Sequence, residues 1–480
     1  MSLRVYNTLS KKKEEFVVRD EGKVSMYVCG VTPYNYPHLG NARPFVVFDV
    51  VRRYLEYLGY ETYHVQNFTD VDDKIIKRSQ EEGKTAKEIA DSYIKAYFED
   101  MDRLGVKRAH FYPRVTDHIP EIIEMVKTLV EKGYAYELEG DVYYSVGKFP
   151  DYGKLSGRDL DELKAGARVE VDVRKRNPLD FALWKRAKEG EPAWDSPWGP
   201  GRPGWHIECS AMSLKYLKPG FDIHGGGSDL IFPHHENEIA QSEAYADGKQ
   251  FVRYWLHNGF ITIDQEKMSK SLGNFFTVRE ILAKYPPDAV RFFLISTHYR
   301  SPLDFSEERL EEAKRSLERF YTALDQLDKL PEVSDHAGQD HPLRLECRRV
   351  EERFKEAMND DFNTALALGH LFEFVREINR NLQDLRQKNM EEEEGTIGAL
   401  RAAKETLLRL GNVLGIFELR NKEMNKGDEL EAKLIDLLIE LRQEFRKKKD
   451  WATADRIRDG LKELGIVLED SPEGTIWRRK

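Results

Sequence analysis

Alternating strand and helix patterns up to about residue 305 predict an α/β domain on a parallel sheet. Almost continuous helical periodicity then predicts an α-helical bundle, and the last residues predict a small α/β C-terminal domain. The first observation is a strand–helix–strand unit. Val24 to Val28 is a short β-rich run. Asn41 to Leu58 carries Phe45, Phe48, Val51, Tyr54, Leu55 and Leu58 on one stripe, and Gly59 closes it. Tyr60 to Phe68 reads as the next strand, and this spacing suits a parallel crossover. The second observation is the pattern from Ser306 onward, seen best in Asn363 to Leu382, where Leu366, Leu368, Leu371, Phe372, Val375 and Ile378 recur at helical spacing. The third is the hinge Asn425-Lys426-Gly427. It is followed by helices at about Asp428 to Lys448 and Trp451 to Leu464, then strands at Ile466 to Leu468 and Thr475 to Trp477.

Between these landmarks, helices are predicted at Thr85 to Leu104 and Ile119 to Lys132, with short strands at Ala135 to Glu137 and Asp141 to Ser145. Pro192 to Gly204 is dense in Pro, Gly and Trp and reads as a loop. Asp100 to Pro203 is therefore expected to be an insertion, after which parallel strands resume at Phe221 to His224 and Trp255 to Ile263. The expected domains are 1–305 (with its insertion), 306–424 and 425–480.

At 480 residues the chain is too long for one ordinary core. No apolar run is long enough to span a membrane, and the N-terminus lacks the apolar core of a secretion signal. Only three cysteines occur, which argues against a disulfide framework and for a reducing cytoplasm. The net charge of −10 arises upstream, because residues 426–480 hold 13 Lys/Arg against 13 Asp/Glu. Arg442, Arg446, Lys447, Lys448, Lys449, Arg456 and Arg458 crowd together there. Charge alone does not separate a solvated helix face from an RNA contact.

Three motifs carry chemistry. Cys29, Cys209, His234 and Glu238 form a donor set that suits zinc, and positions four apart on a helix let His234 and Glu238 share a face. With no local Cys-x-x-Cys pair, spacing alone equally allows the two cysteines to be small buried hydrophobes. The turn His38-Leu39-Gly40-Asn41 follows the first strand. Gly40 permits close approach to a ligand, and the next helix offers N–H groups and a positive end suited to triphosphate, with His38 and Asn41 as donors. It can also be a plain turn capped by Asn41. Lys267-Met268-Ser269-Lys270-Ser271 places two ammonium groups where they could neutralise a leaving pyrophosphate, or simply forms a solvated basic loop.

Taken together, these motifs resemble the class I aminoacyl-tRNA synthetases. His38 to Asn41 is similar to their HIGH motif, with Asn41 in place of the last His, and Lys267 to Ser271 matches KMSKS. With the metal set, Asn67 to Lys74 and Gly204 to Cys209, the chain resembles the cysteinyl-tRNA synthetases over nearly its whole length. That resemblance implies a Rossmann-like catalytic domain with an inserted connective domain. It also implies a tRNA-contacting bundle containing Met358 to Thr364 and an anticodon-binding tail containing Trp451 to Asp459. It implies activation of L-cysteine by ATP with Mg²⁺, then transfer to the 3′ end of tRNA(Cys). One Zn²⁺ per chain would read the thiol, and the chain would act as a monomer.

Under the resemblance, His38 and Asn41 hold the phosphates, and Lys267 and Lys270 stabilise the transition state. Gly40, Gly226 and Asp229 meet the nucleotide, and Cys29, Thr69 and Trp205 line the amino-acid pocket. His206, His224, His235 and His257 are candidates for its wall, as well as for core packing. Sulfur and oxygen are near-isosteres, so pocket shape discriminates poorly and a thiophilic ion is the better discriminator. Three other readings have less behind them. An amide-forming relative lacks the long tail, a non-catalytic tRNA binder needs neither motif, and an esterase needs a Gly-x-Ser-x-Gly turn that is missing. Lys74-Ile75-Ile76-Lys77 reads as an amphipathic helix start.

Overall fold

A computed structural model describes residues 2–158, 174–263, 266–267, 275–334, 336–387, 393–417, 434–471 and 474–479. Lys270, and all of the lysine motif after Lys267, lies outside the described residues, as does the side chain of Lys267. The predicted hinge at Asn425 to Gly427 and the start of the helix expected at Asp428 are also outside them. The chain divides into two compact units, Met1–Ile416 and Phe417–Lys480.

In the first unit, a hairpin of β1 (Arg4–Asn7) and β2 (Lys12–Glu15) precedes β3 (Lys23–Val31), α1 (Leu39–Tyr57) and β4 (Glu61–Phe68). Helices α2 (Asp73–Glu82), α3 (Ala86–Arg103) and α4 (Ile119–Glu131) follow. Then come β5 (Ala135–Leu138), β6 (Asp141–Tyr144), β7 (Phe181–Arg186) and β8 (Gly201–Pro203), which pair antiparallel in that order. Next are α5 (Trp205–Leu217), β9 (Phe221–Gly227), α6 (Glu236–Tyr245) and β10 (Val252–Asn258). A small sheet joins β11 (Ile261–Ile263), β12 (Glu266–Lys267) and β13 (Leu303–Asp304) around α7 (Val278–Lys284) and α8 (Pro287–Ile295). The bundle is α9 (Glu307–Asp328), α10 (Pro342–Asn359), α11 (Thr364–Arg386) and α12 (Glu394–Leu414). In the second unit, a helix at 434–447 is followed by α14 (Trp451–Glu463), the 434–447 helix being α13, and by an antiparallel hairpin of β14 (Ile466–Ser471) and β15 (Gly474–Arg479).

The sheet that positions the site runs β10-β9-β3-β4, all parallel. After β3 the chain moves outward to β4, then returns to the other side of β3 as β9. The switch in direction opens a crevice at the carboxyl ends of β3 and β9, where ligands bind in such sheets. The predicted βαβ unit is present in β3, α1 and β4.

Two local readings need correction. Pro192 to Gly204 is not all loop, because Gly201–Pro203 pairs with β7 as the edge strand β8, a position where proline's missing N–H faces no neighbour. Trp255 to Ile263 is not one strand. It breaks at Gly259 into β10 and β11, which belong to different sheets. A Cβ at Gly259 would lie 2.5 Å from the Ser301 carbonyl oxygen, so the backbone crosses there only with glycine.

Helix α1 is the axis of the unit. His38 caps it: the Asn41 N–H donates to His38 Nδ1 at 3.1 Å, and the His38 N–H donates to Asn41 Oδ1 at 3.4 Å. Its middle carries a buried ion network. Asp49 accepts from Arg53 Nε at 2.7 Å and from Arg291 of α8. Arg291 also donates to the carbonyls of Leu104, Gly105 and Leu414, the last at the end of α12. Burial alone would raise the Asp49 carboxyl, but Arg291 and then Arg53 hold it below the usual carboxylate range. Its charges are paired, yet removing one partner leaves buried polar groups unmatched. Arg291→Met is therefore expected to cost about 3–5 kcal/mol of stability in denaturant unfolding.

Candidate active site and metal centre

The end of β3 is irregular where chemistry is expected. The register with β4 slips between Val28 and Val31, so Cys29 and Gly30 form a bulge, a device that re-aims a side chain. A Cβ on Gly30 would sit 1.6 Å from the Asn67 carbonyl oxygen, and the Gly30 N–H donates to Asn67 Oδ1 at 2.9 Å. Glycine at this point lets β3 and β4 close while Cys29 turns inward.

Three other segments meet it. Gly204 starts α5, its own Cβ position blocked by the Ala182 carbonyl at 2.0 Å, and one turn on α5 delivers Cys209. His234 lies on the short helical segment that leads into α6, four residues before Glu238, so the two share a face as their spacing predicts. The chain kinks just before it, where Phe232 has extended backbone (φ −137°, ψ 133°), and Glu238 is in the first turn of α6. His234 Nε2 stands 3.1 Å from Glu238 Oε1. All four predicted donors are buried, and their ligand atoms lie within 4.8 Å of one another.

The distances fit zinc. Two zinc–thiolate bonds of about 2.3 Å opened to the tetrahedral angle place their sulfurs about 3.8 Å apart. Cys29 Sγ and Cys209 Sγ are 3.8 Å apart, and Cys29 Sγ is 3.7 Å from Glu238 Oε1.

Protonation tells the same story. Burial pushes the Cys29 thiol up, helped by its hydrogen bond to Cys209. That donated bond, against burial and with help from His234, brings Cys209 down to about 6. Burial opposes a charged His234, but Glu238 and Cys209 raise it to about 10. Burial opposes a charged Glu238, yet His224 and His234 hold it at about 2. Two protons, on Cys29 and His234, thus hold together a donor set from which a divalent ion would displace them.

The candidate wall histidines surround this cluster. His206 Nδ1 is 3.0 Å from His234 Nδ1, and His224 Nε2 is 2.8 Å from Glu238 Oε2. His235 Nε2 is 3.3 Å from Cys29 Sγ, while its Nδ1 is 2.8 Å from His257 Nε2. Burial drives His206 and His235 well down and His257 to about 3, so these three rings are neutral. Cys29, His224, His235 and Glu238 make a second set within the same 4.8 Å limit. Trp205, 40% exposed, stacks on His234 with ring centroids 4.3 Å apart and roofs the cluster. Thr69 is buried and donates to Glu208 Oε2 at 3.1 Å. Glu208, Asn67 and Tyr27 were not singled out from sequence. Tyr27 had a signal, since it lies two residues before Cys29 and shares its strand face.

The nucleotide motifs stand beside the cluster in sequence and fold. Because His38 Nδ1 accepts from Asn41, a neutral His38 ring carries its proton on Nε2. Gly40 is the second residue of α1, at the helix's positive end. Gly226 is buried at the end of β9, and Asp229 is exposed on the following turn.

A class I tRNA synthetase is the protein that this parallel sheet, His-Leu-Gly-Asn turn and inserted antiparallel sheet define. Residues 15–315 match the model of the tRNA synthetase class I (C) catalytic domain, 353–418 the DALR domain, and 433–478 the cysteinyl-tRNA ligase anticodon binding domain. The methionyl-tRNA synthetase of Mycobacterium tuberculosis, solved with methionyl-adenylate, shares the fold. Its TM-score is 0.62 at 15% identity, over 82% of this chain and 91% of that one. The cysteine–tRNA ligase of Carboxydothermus hydrogenoformans is 59% identical over 99% of this chain and 100% of its own length. That of Pelotomaculum thermopropionicum is 58% identical over all of both. The chain belongs to the cysteine–tRNA ligase family.

The donor set predicts that Cys209→Ser loses zinc affinity by at least about 100-fold, more than the roughly 10- to 100-fold expected of His224→Gln, which touches only a donor. Metal analysis after dialysis against graded chelator measures both.

Proposed function

We propose that the chain activates L-cysteine with ATP and transfers it to the 3′ end of tRNA(Cys), with Cys29, Cys209, His234 and Glu238 holding a zinc ion that reads the substrate thiol. Supporting this most directly is the convergence of two thiols, an imidazole and a carboxylate in a buried pocket at the end of β3, with a Sγ–Sγ separation of 3.8 Å. Bound there, zinc would supply a soft Lewis acid that favours a thiolate over a serine hydroxyl.

The chain's own groups do the rest by position and charge. Trp205 covers the cluster, and Thr69, fastened to Glu208, borders the amino-acid pocket. His38 and Asn41, joined in the cap of α1, present the helix's positive end to the phosphates of ATP and its Mg²⁺. Lys267 and Lys270 neutralise the departing pyrophosphate. Gly226 lets the adenosine approach the backbone, and Asp229 accepts from a ribose hydroxyl. The substrate carboxylate is itself the nucleophile, so the protein supplies no covalent partner. Residues 1–305 form the catalytic domain with an insertion at about 100–203, 306–424 contact tRNA, and 425–480 read the anticodon.

Cysteine-dependent ATP–pyrophosphate exchange followed by charging of tRNA(Cys) tests the activity. Exchange without charging would favour an amide-forming relative, and neither reaction in zinc-loaded protein would refute the proposal. Lys270→Ala is expected to lower exchange kcat by about 100-fold or more, the scale of one lost electrostatic donor. Ending the chain at Gly427 is expected to raise the KM for tRNA while leaving exchange unchanged; an unaltered tRNA KM contradicts the tail's role.

A further inference from the structure

Arg43 is fully buried in α1, two residues beyond Asn41, and meets no carboxylate among the described residues. Its Nη1 donates to the carbonyls of Gly259 and Phe260, both at 2.8 Å. Its Nη2 donates to the Ser301 carbonyl at 2.7 Å and to Thr297 Oγ1 at 3.4 Å. Nε is buried without an acceptor among the described residues. Burial lowers its pKa to about 10, so it remains a cation at neutral pH. A buried cation among neutral partners is costly. Such a group persists where its fork achieves something a neutral side chain cannot.

Its acceptors lie in one place, the base of the small sheet that ends in Lys267. Gly259 and Phe260 form the break before β11, and Ser301 precedes β13, which pairs with β11. The Phe260 carbonyl also accepts from the Leu303 N–H at 2.9 Å, so both strands and Arg43 meet at one oxygen. β12, carrying Lys267, pairs with β11 at Thr262. On the far side of the lysine motif the chain returns to the same helix: the Leu39 N–H donates to the Phe276 carbonyl at 3.0 Å, and the Val278 N–H to the Pro37 carbonyl at 2.8 Å. Both roots of the lysine segment are thus fastened to the start of α1 and the turn before it, one by backbone bonds and the other by Arg43.

We propose that Arg43 is a positioning residue for adenylate formation, whose guanidinium fork sets the root of the Lys267 strand against the His38–Asn41 turn. This rests on the reading of Lys267 and Lys270 as pyrophosphate-stabilising groups. Arg43→Lys keeps the charge but cannot span three carbonyls. In the zinc-loaded full chain, exchange kcat is expected to fall about fivefold or more, with the KM for cysteine and the zinc content within about twofold of the parent. Gly259→Ala displaces the same loop without touching Arg43 and is expected to give the same split; it decides the matter if Arg43→Lys does not fold. Lys270→Ala is measured alongside. Full exchange in Lys270→Ala sinks the reading of the lysines. An inactive Lys270→Ala beside an Arg43→Lys enzyme whose kcat falls less than about fivefold overturns the positioning role alone. Parallel losses in kcat and cysteine KM also overturn it, because they mark general loosening.

Discussion

A thiolate and a carboxylate cannot share a buried pocket without a positive centre beside them. That electrostatic constraint organises the site. In the structure the proton on His234 supplies that centre and the proton on Cys29 removes one negative charge, while the neutral rings of His206, His235 and His257 take part only through hydrogen bonds. The bulge at Cys29–Gly30, the close backbone approach at Gly204 and the kink at Phe232 are three local features from three parts of the chain. Each aims one donor at the same point. Regular strands and helices would pass one another without that convergence.

Helix α1 relates this pocket to the nucleotide motifs. Its first turn is closed by the His38–Asn41 cap, its second turn holds Arg43, and its middle is locked by Asp49 to Arg291 and the end of α12. The helix that offers its positive end to phosphates is thereby braced along its length. A mobile helix end would lose the benefit of position that a reaction without a covalent enzyme group depends on.

Much of this was legible in the sequence wherever the signal was local. The apolar stripe from Phe45 to Leu55 and the β-rich Val24 to Val28 identify the crossover, because side-chain period and turn glycines are properties of neighbouring residues. The long bundle helices and the final hairpin were legible for the same reason. The zinc donors were legible as residue types, but their meeting was not, since it depends on strand order and on backbone bulges that no spacing encodes. The splitting of Trp255 to Ile263 at Gly259 was hidden because its cause is a carbonyl at Ser301, about forty residues away. Gly201–Pro203 looked like loop because edge strands tolerate the residues that otherwise mark loops. Arg43 stood in plain view beside the His38–Asn41 turn, yet its burial without a carboxylate partner among the described residues is visible only in three dimensions.

X-ray absorption at the zinc edge tests the central claim most directly. One zinc per chain with two sulfur neighbours is expected in the free protein, and a third sulfur when L-cysteine is added but not when L-serine is added. A zinc with no sulfur neighbours, or a sulfur count unchanged by cysteine, would contradict it.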